Sequence, residues 1–183
     1  MELSKELSDA VEVLRRAQLD GHDGLTQELF LLVSALVPIP NVDLLVVNQQ
    51  NQLLLSRRND EYFQKSWHIP GGCMRYGESL EQRIQATAQR ELGSQVRFDS
   101  EPIAVRNVLR GENTSQRYPK ERGHNIAILY QCWLPEDFHI DNGSKTEDQD
   151  GYLRWFDHLP EDFMQIQCVY KDILEPWKKG DMT

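Results

Sequence analysis

Two helical periods open the chain. Leu7, Val11 and Leu14 recur at helical spacing, and Leu25, Leu29, Leu32, Val33 and Leu36 do so after a break at Gly21-His22-Asp23-Gly24. Each set lies on one stripe of its helix, so each helix is expected to pack against something. Pro38 and Pro40 predict the end of the second helix, because proline cannot donate to the helical ladder. The period then changes. Residues 43–47 and 53–55 predict strands joined by the polar turn 48–52, and a polar loop over 59–66 leads to Trp67-His-Ile-Pro70 and the double glycine Gly71-Gly72. Residues 79–92 predict a helix that Gly93 closes with a left-handed cap. Strands are expected at 103–109, 126–133 and Leu153–Phe156, and a last helix at 164–174. Hairpins together with a crossover predict an α/β fold with a mixed sheet and helices on its faces.

Composition narrows the class. A chain of 183 residues suits one domain with a sizeable core. The organisation expected is an N-terminal helical extension over 1–37, packing on a domain over 38–183. A net charge of -9 argues against a protein that tracks a nucleic-acid backbone, which needs a cationic surface. It leaves a phosphorylated small molecule open, since a divalent cation supplies positive charge locally. Cys73, Cys132 and Cys168 are an odd, dispersed set that suggests neither a disulfide framework nor a zinc knuckle. The opening MELSKELSDAVEVLRR does not read as a secretory signal, and the longest apolar run, 29–33, is too short to span a bilayer. A cytoplasmic protein with no membrane partner is expected.

The chemistry concentrates in Gly72-Cys-Met-Arg-Tyr-Gly-Glu78 and the helix after it, which ends in Arg90-Glu91-Leu-Gly93. A diphosphate calls for a hard cation, and hard cations take oxygen ligands. Carboxylates four apart on a helix share a face, and a glycine loop lets the backbone approach closely enough to offer a carbonyl. Here the positions four apart are Thr87 and Glu91, so one carboxylate of such a pair is absent. Glu91 lies beside Leu80 and Ile84 on the helical wheel, where an unpaired charge is costly. Glu78 stands at the helix start, where a carboxylate is favourable against the dipole without any metal.

This segment resembles the Nudix box, G-x5-E-x7-R-E-U-x-E-E-x-G-U with U aliphatic. Gly72, Glu78, Glu91 and Gly93 fall in register, and Pro70-Gly71 leads in as it commonly does. Ala86, Thr87, Arg90 and Ser94 depart from the box. A similar loss of glutamates marks the GDP-mannose mannosyl hydrolase branch. Further likeness to that branch lies in Leu25-Thr-Gln-Glu-Leu-Phe30, Asp43, Arg58, Trp67, Asp148-Gln149 and Arg154-Trp155.

The resemblance implies a Nudix-type α/β/α sandwich and a homodimer. It also implies magnesium held by the Gly72 carbonyl, the Glu91 carboxylate and the Gln149 side-chain oxygen, with substrate phosphates completing the shell. Arg58 would contact the diphosphate or the base, and Asp43 a sugar or base group. Tyr152 joins these two as a candidate nucleotide contact. Cys73 and Ala86 stand where the branch has arginines, and Asp150 where it has the histidine that acts as base. A carboxylate is a weaker base than imidazole, so His68 and His124 are candidates beside Asp150. The basic loop residues Arg117, Lys120 and Arg122 are candidates for a lid over phosphates.

The expected activity is Mg-dependent hydrolysis of a nucleoside-diphosphate sugar, releasing nucleoside diphosphate and sugar. Two alternatives stay open: attack at phosphorus, giving a nucleoside monophosphate, and a non-catalytic nucleotide sensor that kept the fold.

Overall fold

The computed structural model describes residues 4–17, 24–60, 64–109 and 124–178. Its elements in chain order are α1 (Lys5–Arg16), α2 (Gln27–Leu36), β1 (Ile39–Val46), β2 (Leu53–Asp60), β3 (Gln64–His68), β4 (Gly71–Cys73), α3 (Leu80–Leu92), β5 (Arg97–Phe98), β6 (Ala104–Val108), β7 (Asn125–Trp133) and β8 (Leu153–Phe156). Two 3-10 helices, Gln165–Tyr170 and Glu175–Trp177, follow. No helix among the described residues is long and apolar enough to cross a membrane.

The first sheet has the order β4-β1-β7-β5, with β6 also on β7. β1 and β7 run parallel, while β4 and β6 pair antiparallel to them, so the sheet is mixed as the sequence predicts. The second sheet is β3-β2-β8. Along β1 the two-residue period sorts side chains to opposite faces. Val42, Leu44 and Val46 join Ile84, Ala88 and Leu92 of α3 in one core cluster. Leu45 packs in the other with Leu55, Trp67, Leu129, Tyr170 and Trp177. Asp43 is also buried, so a carboxylate stands on an interior strand of the first sheet, between β4 and β7.

α3 is well specified locally. Ser79 and Gln82 form a reciprocal capping box, and Gly93 closes the helix at φ 68°, in the left-handed region. The N-terminal elements behave differently from each other. α1 buries no residue, and Leu7, Val13 and Leu14 are exposed. α2, which starts after Leu25, turns Phe30 and Val33 toward the cavity described below.

Several boundaries differ from the sequence-based expectation. β1 begins at Ile39 and includes Pro40, whose carbonyl accepts from the Met74 amide. The loop expected over 59–66 is largely strand, with Asp60 opposite Gln64 in a β2–β3 hairpin. The paired residues 59–60 and 64–66 are all polar, so no apolar period announced these strand ends. The last helix expected at 164–174 is a 3-10 helix. Three residues per turn bring Gln167 and Tyr170 onto one face, and both bond the same buried groups of the sheet.

Replacing Ser79 with Ala removes a side-chain acceptor from the N-terminus of α3. Urea denaturation should show a loss of about 1 kcal/mol, the usual cost of such a cap.

Candidate active site

The double glycine forms the floor of the site. β4 is pressed between β1 and α3, and both neighbours come too close for a side chain. A Cβ on Gly71 would lie 2.3 Å from Asp43 Oδ1 and 3.0 Å from the Val42 carbonyl oxygen. A Cβ on Gly72 would lie 2.8 Å from Thr87 Oγ1 and 3.0 Å from Arg90 Nη2. Only glycine tolerates both approaches.

The loop leaving β4 is held by a buried arginine. Arg83 donates to the Cys73 carbonyl at 3.0 Å and pairs with Glu78 at 3.2 Å. Glu78 in turn accepts the Arg75 amide at 2.8 Å. Glu78 is thus a brace of the loop. Arg83 escaped sequence reasoning, although it falls on the same helical stripe as Leu80, Ile84 and Thr87, where a charge is a signal of a specific partner.

At the other end of α3, Glu91 has 18% of its side chain exposed. Arg90 lies beside it, with Nη2 at 2.9 Å and Nε at 3.0 Å from Glu91 Oε1. The same Nη2 donates to the Gly71 carbonyl at 2.8 Å.

These groups open on a cavity of about 650 Å³. Its polar wall includes Arg58, His68, Arg90, Glu91 and Asp150. Its apolar wall includes Leu25, Phe30 and Val33 from the N-terminal extension, with Met74, Ile166 and Val169. Arg58 pairs with Asp60 at 2.6 Å, and Asp150 accepts the Asn59 amide at 3.2 Å. His68 Nδ1 lies 2.9 Å from the Ile69 carbonyl. A carbonyl only accepts, so this contact places the proton on Nδ1 and leaves Nε2 with its lone pair. Burial holds the imidazole below its ordinary pKa. Glu91 is the main opposing influence, Arg58 adds to the depression, and the Ile69 carbonyl and Asp150 oppose it.

Asp43 is the deepest charged group of the wall. It accepts from Tyr170 at 2.7 Å, Asn41 at 3.0 Å and Gln167 at 3.2 Å. Burial pushes its pKa up to about 7, against the lowering effect of those three donors. Gln167 also bonds both backbone groups of Ile69, at 2.7 Å and 2.9 Å. Neither Gln167 nor Tyr170 could have been connected with Asp43 from the sequence, which separates them by 124 and 127 residues.

The structure therefore gathers Asp43, Arg58, Gly72, Glu91 and Asp150 around one cavity, with His68 among them. Three other candidates stand elsewhere. Gln149 turns its side-chain oxygen to the Thr146 amide, at 2.7 Å, and does not line the cavity, because its exposed loop uses that oxygen to close a turn. Tyr152 is drawn into the core against Trp67, with ring centroids 6.4 Å apart. His124 bonds Asn107 at 3.1 Å outside the cavity lining. Arg117, Lys120 and Arg122 lie outside the described residues.

The donors suit a hard cation only in a shared site. Among the described residues no three His, Cys, Asp or Glu side chains cluster to hold a metal. Glu91 supplies one carboxylate, and one of its oxygens already holds Arg90. An octahedral ion here must draw most of its ligands from substrate phosphates and water, as magnesium commonly does.

Comparison with known proteins agrees with this architecture. The NUDIX domain family matches residues 37–163, more than half of the chain, and the protein belongs to that family. Among curated relatives, the low-salt glycan biosynthesis protein Agl8 of Haloferax volcanii is 34% identical over 105 residues, which are 57% of this chain and 65% of the relative's length. An ADP-ribose pyrophosphatase of Methanocaldococcus jannaschii is 25% identical over 137 residues, 74% of this chain and 72% of that protein. A MutT Nudix hydrolase of Burkholderia pseudomallei shares the fold with a TM-score of 0.55 at 18% identity, covering 75% of this chain and 98% of that one. A UDP-X diphosphatase does so with a TM-score of 0.51 at 22% identity, covering 91% and 79%.

Two variants probe this floor. Gly71→Ala should cost about 1–3 kcal/mol in urea denaturation, the range for overpacking a closed site. Asp43→Asn should change the pH dependence of stability. The carboxyl goes from about 7 in the fold to an ordinary 3.8 when unfolded, so its contribution is full below 3.8 and is lost as pH rises to 7. The stability of the variant minus that of the wild type, read from denaturation midpoints, should climb over that window and level off above it.

Proposed function

We propose that this protein is a Mg-dependent hydrolase of a nucleoside diphosphate linked to a second group, with a nucleoside-diphosphate sugar as the favoured substrate. One observation carries the reading. Glu91, the backbone of a glycine turn, His68 and several guanidinium groups line one cavity together with apolar side chains such as Phe30, Val33 and Ile166. The charged wall suits a diphosphate and the apolar wall a ring. The match to Agl8, named for glycan biosynthesis, favours a sugar-linked substrate, whereas the matches to an ADP-ribose pyrophosphatase and a UDP-X diphosphatase favour the wider class of nucleoside diphosphates. A cytoplasmic homodimer is part of the proposal.

In this reading the Glu91 carboxylate and the Gly72 carbonyl hold magnesium jointly with the diphosphate. The bound ion would neutralise phosphate charge and stabilise the leaving oxygen. Arg58, released from Asp60, binds a phosphate oxygen. His68 is the general base: its Nε2 lone pair takes the proton of the attacking water, and the Ile69 carbonyl holds the ring in the required tautomer. Asp150 stands close enough to favour the imidazolium that results. Asp43 carries Gln167 and Tyr170, so its role is to build the wall.

A second reading, a nucleotide sensor without turnover, draws on Thr87 and Arg90 standing where the box has carboxylates. Incubation with magnesium and a panel of nucleoside-diphosphate sugars, followed by anion-exchange separation, decides between them. Nucleoside diphosphate plus free sugar means attack at carbon, and nucleoside monophosphate plus sugar phosphate means attack at phosphorus. Nucleotide binding without product would establish the sensor.

For an active enzyme, Glu91→Gln should lower kcat/KM by about two orders of magnitude or more and raise the magnesium requirement. His68→Asn should lower kcat by about 10²–10⁴-fold with little change in KM. It should also abolish the acidic limb of the wild-type pH profile, whose midpoint lies below the ordinary histidine value because burial depresses His68.

A further inference from the structure

Arg90 stands where the family box carries a carboxylate, and its surroundings give the exchange a consequence. Nη2 and Nε are anchored on Glu91 and on the Gly71 carbonyl, and the head rests against Gly72 so closely that a Cβ there would meet it at 3.0 Å. The Nη1 edge has no hydrogen-bond partner among the described residues, and the side chain, 51% exposed, lines the cavity. Other guanidinium groups of the wall are committed differently: Arg57 to Asp162 and the Trp67 face, Arg83 to Glu78 and the Cys73 carbonyl. Arg90 is thus pinned at one edge and open at the other, the arrangement in which a planar donor fork loses least freedom on binding a phosphate.

We propose that Arg90 is a resident cation of the cavity, binding the diphosphate through its Nη1 edge between Glu91 and the glycine turn. The proposal rests on the reading of this cavity as a diphosphate site. A carboxylate at position 90 would stand beside Glu91, and the repulsion between two adjacent anions is relieved by a bound cation. A guanidinium removes that repulsion. It neutralises Glu91, leaves a positive edge for phosphate, and makes part of the binding independent of metal. A divalent ion would then be held jointly with the substrate phosphates rather than by the protein alone.

Calorimetric titration of the full chain with methylenediphosphonate, an unhydrolysable diphosphate, tests this in EDTA and in magnesium. Wild-type protein should bind in both conditions. Arg90→Ala and Arg90→Gln should each lose about tenfold or more of the affinity measured in EDTA, the worth of a charge-assisted hydrogen bond. Gln can still donate to the Gly71 carbonyl, so it separates charge from bracing. Arg90→Glu should bind Mn²⁺ without diphosphate, seen by electron paramagnetic resonance, where the wild type does not. Thermal melts certify that each variant is folded. Unchanged affinity in EDTA for both Ala and Gln variants would overturn the assignment while leaving the diphosphate site intact, as would loss in Ala with full retention in Gln, which marks a brace. Wild-type binding only in magnesium also overturns it alone. Absence of wild-type binding in both conditions overturns the diphosphate reading together with it.

Discussion

The approach of β4 to its two neighbours governs the rest of the site. Two glycines fit between the Asp43 carboxylate on β1 and the Thr87 and Arg90 side chains on α3. Because that gap admits no Cβ, the sheet and the helix converge on one backbone turn, and groups from both reach the same cavity. Arg83 then ties the following loop from beneath, and Glu78 ties it from the side. The turn is held by backbone contacts and by the buried Arg83, so its shape is fixed by the fold around it.

Burial sets the electrostatics of that wall. Asp43 sits in the core with three donors, which makes it a structural acceptor that collects the 3-10 segment onto the sheet. The same low-dielectric surroundings hold the His68 imidazole below its ordinary pKa, and its carbonyl partner chooses the tautomer of the neutral ring. Closer to solvent, Glu91 and Arg90 form an ion pair at the edge of the cavity. The wall thus grades from groups held by the core to groups nearer solvent.

The N-terminal extension contributes to the cavity through one element only. Phe30 and Val33 of α2 line the same cavity as the polar groups, while α1 buries none of its side chains. The cavity is thus lined both by residues of the box and by residues that precede the span matched to the family.

Much of this was legible locally. The box register, the capping of α3 and its glycine stop follow from short-range rules, because loop–helix geometry depends on neighbours a few residues apart. Strands β1, β7 and β8 were readable because each carries a short apolar run bounded by polar residues. The outer end of the β2–β3 hairpin was not, since the paired residues 58–60 and 64–66 are all polar, and neither was the 3-10 segment, whose pitch is imposed by Gln167 and Tyr170 reaching a strand more than a hundred residues earlier. Glu91, Gly72, Arg58 and Asp150 could be named from the motif and its likeness. Sequence alone could not decide that Gln149 would spend its oxygen on a turn, that Tyr152 would pack on Trp67, or that Arg90 would lean back across Gly71. Motif residues are placed by local backbone geometry, but partners are chosen by packing between distant segments, and that choice is made only when the chain is folded.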